Sequence, residues 1–134
     1  MSNRSSKEQL LHDQVIQYIE THLNRQKYNI LTNPGTSKDW SIGGEFPDVI
    51  VNPKETSEVL FIIEVETNET VSPEEARNQW KAYSELPGIF YIIVPRQSIN
   101  LAKQIIAGQG IEAKLGYFEI DKSGTVKEVI YNEQ

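Results

Sequence analysis

The sequence predicts an α/β fold, a mixed sheet flanked by helices in the order αβββαβαββ. Three observations carry that prediction. Residues 7–26 place Leu11, Val15, Ile16, Tyr18, Ile19 and Leu23 at three- and four-residue spacing, the period of an amphipathic helix. Three short apolar runs follow, each bounded by turn residues. Helix-start signals and apolar runs then alternate, as in chains whose strands are joined through helices.

Each element has its own signal. Residues 28–32 read as a short strand closed by Asn33-Pro34-Gly35, a turn sequence. The stretch 36–45 is polar and carries Gly43-Gly44, so it reads as a mobile loop. No helix start follows that glycine pair, which argues against a phosphate loop. A second strand is expected over 46–51, a turn at Asn52-Pro53-Lys54, and a third strand over 58–66. Ser72-Pro73-Glu74-Glu75 is a helix start: a capping serine, proline in the first turn, and acids near the positive end of the helix dipole. That helix should run to about residue 86 and stop at Pro87-Gly88. Residues 89–94 form a continuous apolar strand, and 98–107 a helix closed by Gly108 and Gly110. Strands at 111–120 and 125–131 complete the chain, joined by the turn Asp121-Lys122-Ser123-Gly124.

Composition narrows the function. The 134 residues fit one domain, 1–134, with residues 1–6 expected to be flexible. No apolar run approaches the roughly 18 residues of a membrane span, and residues 1–9 lack the apolar core of a secretory signal. Cysteine is absent, which excludes disulfides, thiolate metal sites and cysteine nucleophiles and fits a cytoplasmic location. The net charge of −6 argues against broad non-specific nucleic-acid binding, though not against one basic groove.

The candidate chemistry lies in the second and third strands. Phe46-Pro47-Asp48-Val49-Ile50-Val51 and Leu60-Phe61-Ile62-Ile63-Glu64-Val65-Glu66 are apolar runs that carry acids at their ends. Alternation along a strand puts Glu64 and Glu66 on one face with Leu60 and Ile62, and Phe61, Ile63 and Val65 on the other. If the two strands form a hairpin, Asp48 sits beside Glu64. Carboxylates that close repel, and a hard divalent cation with oxygen ligands removes the conflict. Acids merely solvated at strand ends are the alternative.

Pro47-Asp48, then a strand, then Glu64-Val65-Glu66 resembles the motif of the PD-(D/E)XK nuclease superfamily. The order helix, three strands, helix, strand is similar to its common core, and the resemblance spans about residues 7–95. Small Holliday-junction resolvases and RecB-like nucleases are the branches it looks most like. The resemblance implies a restriction-endonuclease-like αβββαβ core, followed here by a helix and two strands. It implies a nuclease that hydrolyses phosphodiester bonds, with DNA favoured over RNA as partner, often as a homodimer. Asp48 and Glu64 are then ligands of Mg²⁺ (or Mn²⁺), with the Val65 backbone carbonyl as the third. Glu66 stands where the family expects lysine. It carries no positive charge, but it can accept a proton from water or help hold a second metal. A degenerate protein that binds nucleic acid or a protein partner without cleavage is the competing expectation.

Gln79 and Tyr83, four apart on the next helix, resemble the Gln-x-x-x-Tyr motif of the RecB-like branch, which places substrate near the metal. Ala76, Trp80, Tyr83 and Pro87 equally describe a core stripe, and for Trp80 that reading is preferred. Lys81, with Arg77 four residues earlier, and Lys38 are candidate phosphate contacts; a solvated face with Lys81 paired to Glu85 is preferred for the former. A helix-one acid often supports the metal in this family, and no motif chooses between Asp13 and Glu20. His12 and His22 are expected to be partly exposed helix residues.

Overall fold

The computed structural model describes residues 4–131. Helix α1 (Ser6–His22) starts where the Ser5 hydroxyl accepts the Glu8 N–H at 3.2 Å, an N-cap that satisfies one of the unpaired donors of the first turn. It buries Val15, Ile16 and Ile19. It ends at His22, short of the expected residue 26. Asn24 explains the stop, because its side chain accepts the N–H groups of Gln26 and Lys27 and offers the backbone a turn in place of a helix.

Six strands lie side by side in chain order: β1 (Tyr28–Thr32), β2 (Val49–Pro53), β3 (Phe61–Val65), β4 (Ile89–Pro95), β5 (Lys114–Ile120) and β6 (Val126–Ile130). The first three are antiparallel, β3, β4 and β5 are parallel, and β6 returns antiparallel to β5. Two parallel steps need crossovers, and helices supply both. The first is α2, a continuous rod of three pieces: helical turns Pro73–Glu75 and Lys81–Ser84 around a π-helical stretch Ala76–Trp80. The second is α3 (Ile99–Gln109), entered through a 3₁₀ turn and closed by Gly110 at φ 62°, a left-handed position that glycine adopts without strain.

The middle of the sheet, β2 to β4, is buried on both faces. Helix α1 covers one, over Val49, Val51, Ile63, Val65 and Ile93. Helices α2 and α3 cover the other, over Ile62, Phe90, Ile92 and Val94. The molecule is therefore an α/β fold with a mixed six-stranded sheet between helices. Among the described residues no helix is long and apolar enough to cross a membrane.

Two expectations are corrected, the bounds of β2 and the loop 36–45. Strand β2 begins at Val49, not residue 46, because the Pro47 carbonyl accepts a bond from the Asn33 side chain at 2.8 Å instead of joining a ladder. It also continues through Asn52 and Pro53, which pair with Asn29 and Tyr28, so the turn comes later than expected. Stretch 36–45 is not a loose loop. Asn33 holds it at Asp39 and Trp40, and Ile42 and Glu45 exchange backbone bonds of 2.9 Å across Gly43-Gly44. Of the expected flexible residues 1–6, residues 1–3 lie outside the described residues. Ser5 and Ser6 are built into the fold: Ser5 caps α1 and its N–H donates to Glu69 at 2.7 Å, and Ser6 is the first helical residue.

Candidate functional site

The β2–β3 register sets Val49 opposite Ile63, which brings Asp48 and Glu64 together at the mouth of the pair. The two are cross-linked through the backbone. The Asp48 N–H donates to Glu64 Oε1 at 2.8 Å, and Asp48 Oδ2 accepts the Val65 N–H at 2.8 Å. Both acids are almost fully buried. Burial first, then the charges of Asp48 and Glu66, raise the Glu64 pKa well above the usual carboxylate range. One oxygen of each, Asp48 Oδ1 and Glu64 Oε2, carries no hydrogen bond among the described residues.

A histidine closes the other side of Asp48. His12 is 2% exposed, which corrects the expectation of a partly exposed residue. Its Nε2 lies 3.0 Å from Asp48 Oδ2 and its Nδ1 lies 3.0 Å from Asp13 Oδ1. Both ring nitrogens thus face carboxylate oxygens, and only the imidazolium donates from both. Burial by itself lowers the His12 pKa, but the charge and hydrogen bond of Asp48 outweigh it and the net shift is upward. Asp13 in turn accepts from Gln9 and from the Gly35 N–H, so the chain Gly35–Asp13–His12–Asp48 fixes the catalytic candidate from behind. A signal for His12 existed in the sequence: 12, 15, 16 and 19 form one helical stripe, so a histidine at 12 continues the buried face.

Glu66 faces the same side of the sheet and is fully buried, with its oxygens occupied. Oε2 accepts the Trp80 indole N–H at 2.8 Å, and Oε1 accepts the Thr70 hydroxyl at 2.5 Å. The Arg4 guanidinium reaches Oε1 at 3.4 Å and the Val65 carbonyl at 3.1 Å, while its own Nε is buried without a partner. Burial, then the nearby charge of Glu75, push the Glu66 pKa up to about 8 against those bonds. Arg4 had no signal in the sequence, since it precedes the first periodic element.

On α2, Tyr83 is buried and its pKa is raised, by burial first and then by the charges of Glu64, Asp48, Glu45 and Glu66. The phenol therefore keeps its proton beside the acids. Gln79, one turn earlier, is half-buried. Trp80 is core, as the stripe reading expects. Lys81, Arg77 and Lys38 are exposed and make no ion pair or hydrogen bond with the acids among the described residues, and the expected pairing of Lys81 with Glu85 does not form. The Lys38 ammonium lies over the Phe46 ring at 5.5 Å. His22 is exposed and stacks on Tyr18, and among the described residues Glu20 makes no hydrogen bond or ion pair with Asp48 or Glu64.

No family model, curated protein or solved structure matches the chain.

The side chains themselves define what the site can hold. Among the described residues no group of three or more His, Asp or Glu is arranged as a metal cage. What is present is a hard-oxygen pair, Asp48 and Glu64, each with one oxygen free of protein donors and held in mutual repulsion. That donor set suits Mg²⁺, which takes one or two carboxylates and keeps several waters.

Proposed function

We propose that this chain is a metal-dependent nuclease with a restriction-endonuclease-like core, hydrolysing phosphodiester bonds of nucleic acid, DNA in preference to RNA. The observation that carries the reading is the Asp48–Glu64 pair, buried, cross-linked through the backbone, and fixed by His12. The order of elements supports it: one helix, three antiparallel strands, a helix, then a strand parallel to the third.

Asp48 and Glu64 are the residues that would hold Mg²⁺ or Mn²⁺. When bound, the ion supplies a water of lowered pKa and a counter-charge for the phosphate. His12 keeps Asp48 oriented, much as hydrogen-bonded partners orient ligands in other metal sites. Tyr83 offers a hydroxyl proton on the α2 side, with Gln79 beside it for substrate placement. Lys81 and Lys38 are free to meet phosphates. Glu66 acts as a clamp, since Trp80, Thr70 and Arg4 occupy its oxygens.

The test is cleavage of single-stranded, duplex and branched substrates with Mg²⁺ or Mn²⁺, together with calorimetric Mn²⁺ titration. Wild type should cleave and bind. Asp48→Asn and Glu64→Gln should lose about 100-fold or more in both, since even second-layer partners cost 10–100-fold. Cleavage unchanged by Asp48→Asn removes the reading.

One observation favours the alternative of a non-cleaving binding protein: Arg4 occupies the Val65 carbonyl, the third ligand the resemblance implies. Arg4→Gln frees that oxygen. Mn²⁺ binding that rises in this variant from nothing in the wild type marks a chain held in a metal-free, binding-only state.

A further inference from the structure

The chain has two tryptophans with opposite fates. Trp80 is fully buried and Trp40 is 47% exposed. Exposure of a single aromatic ring is ordinary by itself. The backbone beneath Trp40 is what sets it apart. Asn33 is 3% exposed, and its side chain accepts the Asp39 and Trp40 N–H groups, each at 3.0 Å, while donating to the Trp40 carbonyl at 2.7 Å and the Pro47 carbonyl at 2.8 Å. The Asn33 N–H also donates to the Asp48 carbonyl at 2.9 Å. One buried residue thus ties the backbone beneath an exposed indole to the backbone of Asp48, just ahead of β2.

The far end of the same loop is tied as well. Ile42 packs on the α2 core. Gly43 sits at φ 58°, a left-handed position that favours glycine, and a Cβ there would lie 2.7 Å from Leu86 Cδ2, so the loop comes close to the residues just past α2. Glu45, at the end of the turn, is close enough to Tyr83 to act on its pKa. The loop therefore spans from the Asp48 backbone to the end of α2, and Lys38 and Trp40 are exposed on it.

We propose that Trp40 is a stacking platform for an unpaired base of the nucleic acid whose backbone reaches Asp48 and Glu64, with Lys38 contacting an adjacent phosphate. The proposal rests on the nuclease reading for its partner and names that partner as single-stranded or locally unpaired. Net charge does not favour this partner: at −6 the chain has little non-specific attraction for phosphates, so the nuclease reading requires a contact that does not depend on charge. Stacking on an aromatic face is such a contact, and it tolerates any base. A rigid support makes it effective, because the ring is ordered before the base arrives.

The test uses full-length protein in EDTA, so that binding is read without cleavage. Labelled oligothymidylate, a duplex of equal length and oligouridylate are each titrated by anisotropy, and tryptophan emission is followed with unlabelled strands. Single strands should bind and quench emission, and the duplex should do neither at the same concentration. Trp40→Ala should weaken single-strand binding about 5- to 150-fold. Trp40→Phe should retain most of the affinity but lose the quench, since only buried Trp80 remains to emit. Lys38→Ala should lower the salt slope by about one ion or less. The two oligonucleotides decide between DNA and RNA as the source of the base.

No quench by any nucleic acid, or equal affinity in Trp40→Ala, overturns the proposal and leaves a protein contact as the use of the exposed ring. Equal quenching by duplex overturns the unpaired-base assignment. Cleavage by wild type with Trp40→Ala unchanged in KM and kcat sinks the platform and leaves the nuclease reading standing. Quenching by single strands without cleavage upholds the platform and sinks the nuclease.

Discussion

Glu64 lies on β3 and Glu66 just past its end, two residues apart, yet their oxygens have different fates. Glu64 accepts one backbone N–H and keeps an oxygen free of protein donors. Glu66 is saturated by an indole, a hydroxyl and a guanidinium. Both pKa values are raised by burial, so burial cannot tell them apart. The hydrogen-bond partners can. A buried acid whose acceptors are all used by the protein is a structural joint, here between β3, α2 and the start of α1. A buried acid left with a free oxygen beside a second such acid can take an external cation.

The sharpest way to break that contrast is Glu66→Ala. It leaves the Trp80 N–H buried without an acceptor and takes one partner each from Thr70 and Arg4, and a buried polar group left unsatisfied costs about 1–3 kcal/mol. Glu64→Gln should behave oppositely. The group is poised toward its neutral form, so an isosteric amide leaves thermal stability equal or higher while Mn²⁺ binding falls. Denaturant unfolding of the two variants reads this directly. A destabilised Glu64→Gln beside a tolerant Glu66→Ala reverses the assignment of joint and site.

The contrast was only half legible in the sequence. The strand order, the shared face of the two glutamates and the approach of Asp48 follow from alternation and turn spacing, which are local rules. The partners of Glu66 do not. Arg4, Thr70 and Trp80 come from three separate stretches, and only the closed fold brings them to one carboxylate. His12 belongs between these cases. Its helical stripe was readable, but a histidine on an apolar stripe says nothing of which acid it meets across the core. The loop 36–45 differs from its reading for a physical reason: its polar composition looks mobile, while one buried amide, Asn33, holds it with three hydrogen bonds and reaches Pro47 with a fourth.

A smaller effect is expected at His12. His12→Asn removes the Nε2 contact with Asp48 but leaves Asp48 bound to the Val65 N–H. Loss of such a supporting partner costs about 10-fold in metal affinity. Calorimetry with Mn²⁺ on the folded variant measures it. An unchanged affinity means that the backbone bond alone orients Asp48, and that His12 serves the packing of α1.

The mildest way to probe the pair is pH. Glu64 and Glu66 hold their protons in the fold above the range where the unfolded chain gives them up. Between about 4.5 and 8, the interval set by the ordinary carboxylate value and that of Glu66, the folded state binds more protons. Stability must then fall as pH rises. His12 adds to the same trend. Its folded pKa is raised, so its contribution is complete below the unfolded value and is lost as pH climbs through the folded one. Metal-free protein should therefore melt at a higher temperature near pH 5.5 than near pH 8. A loss of about 1 kcal/mol lowers the midpoint by about 4 °C in a domain of this size. Glu66→Gln should flatten part of the slope without touching metal binding. Mn²⁺ should restore stability at the alkaline end, where Glu64 has given up its proton. A melting temperature that instead rises from pH 5.5 to 8 without metal means that both glutamates are ionised in the fold, held by cations such as Arg4 and His12, and that burial is not what sets their protonation.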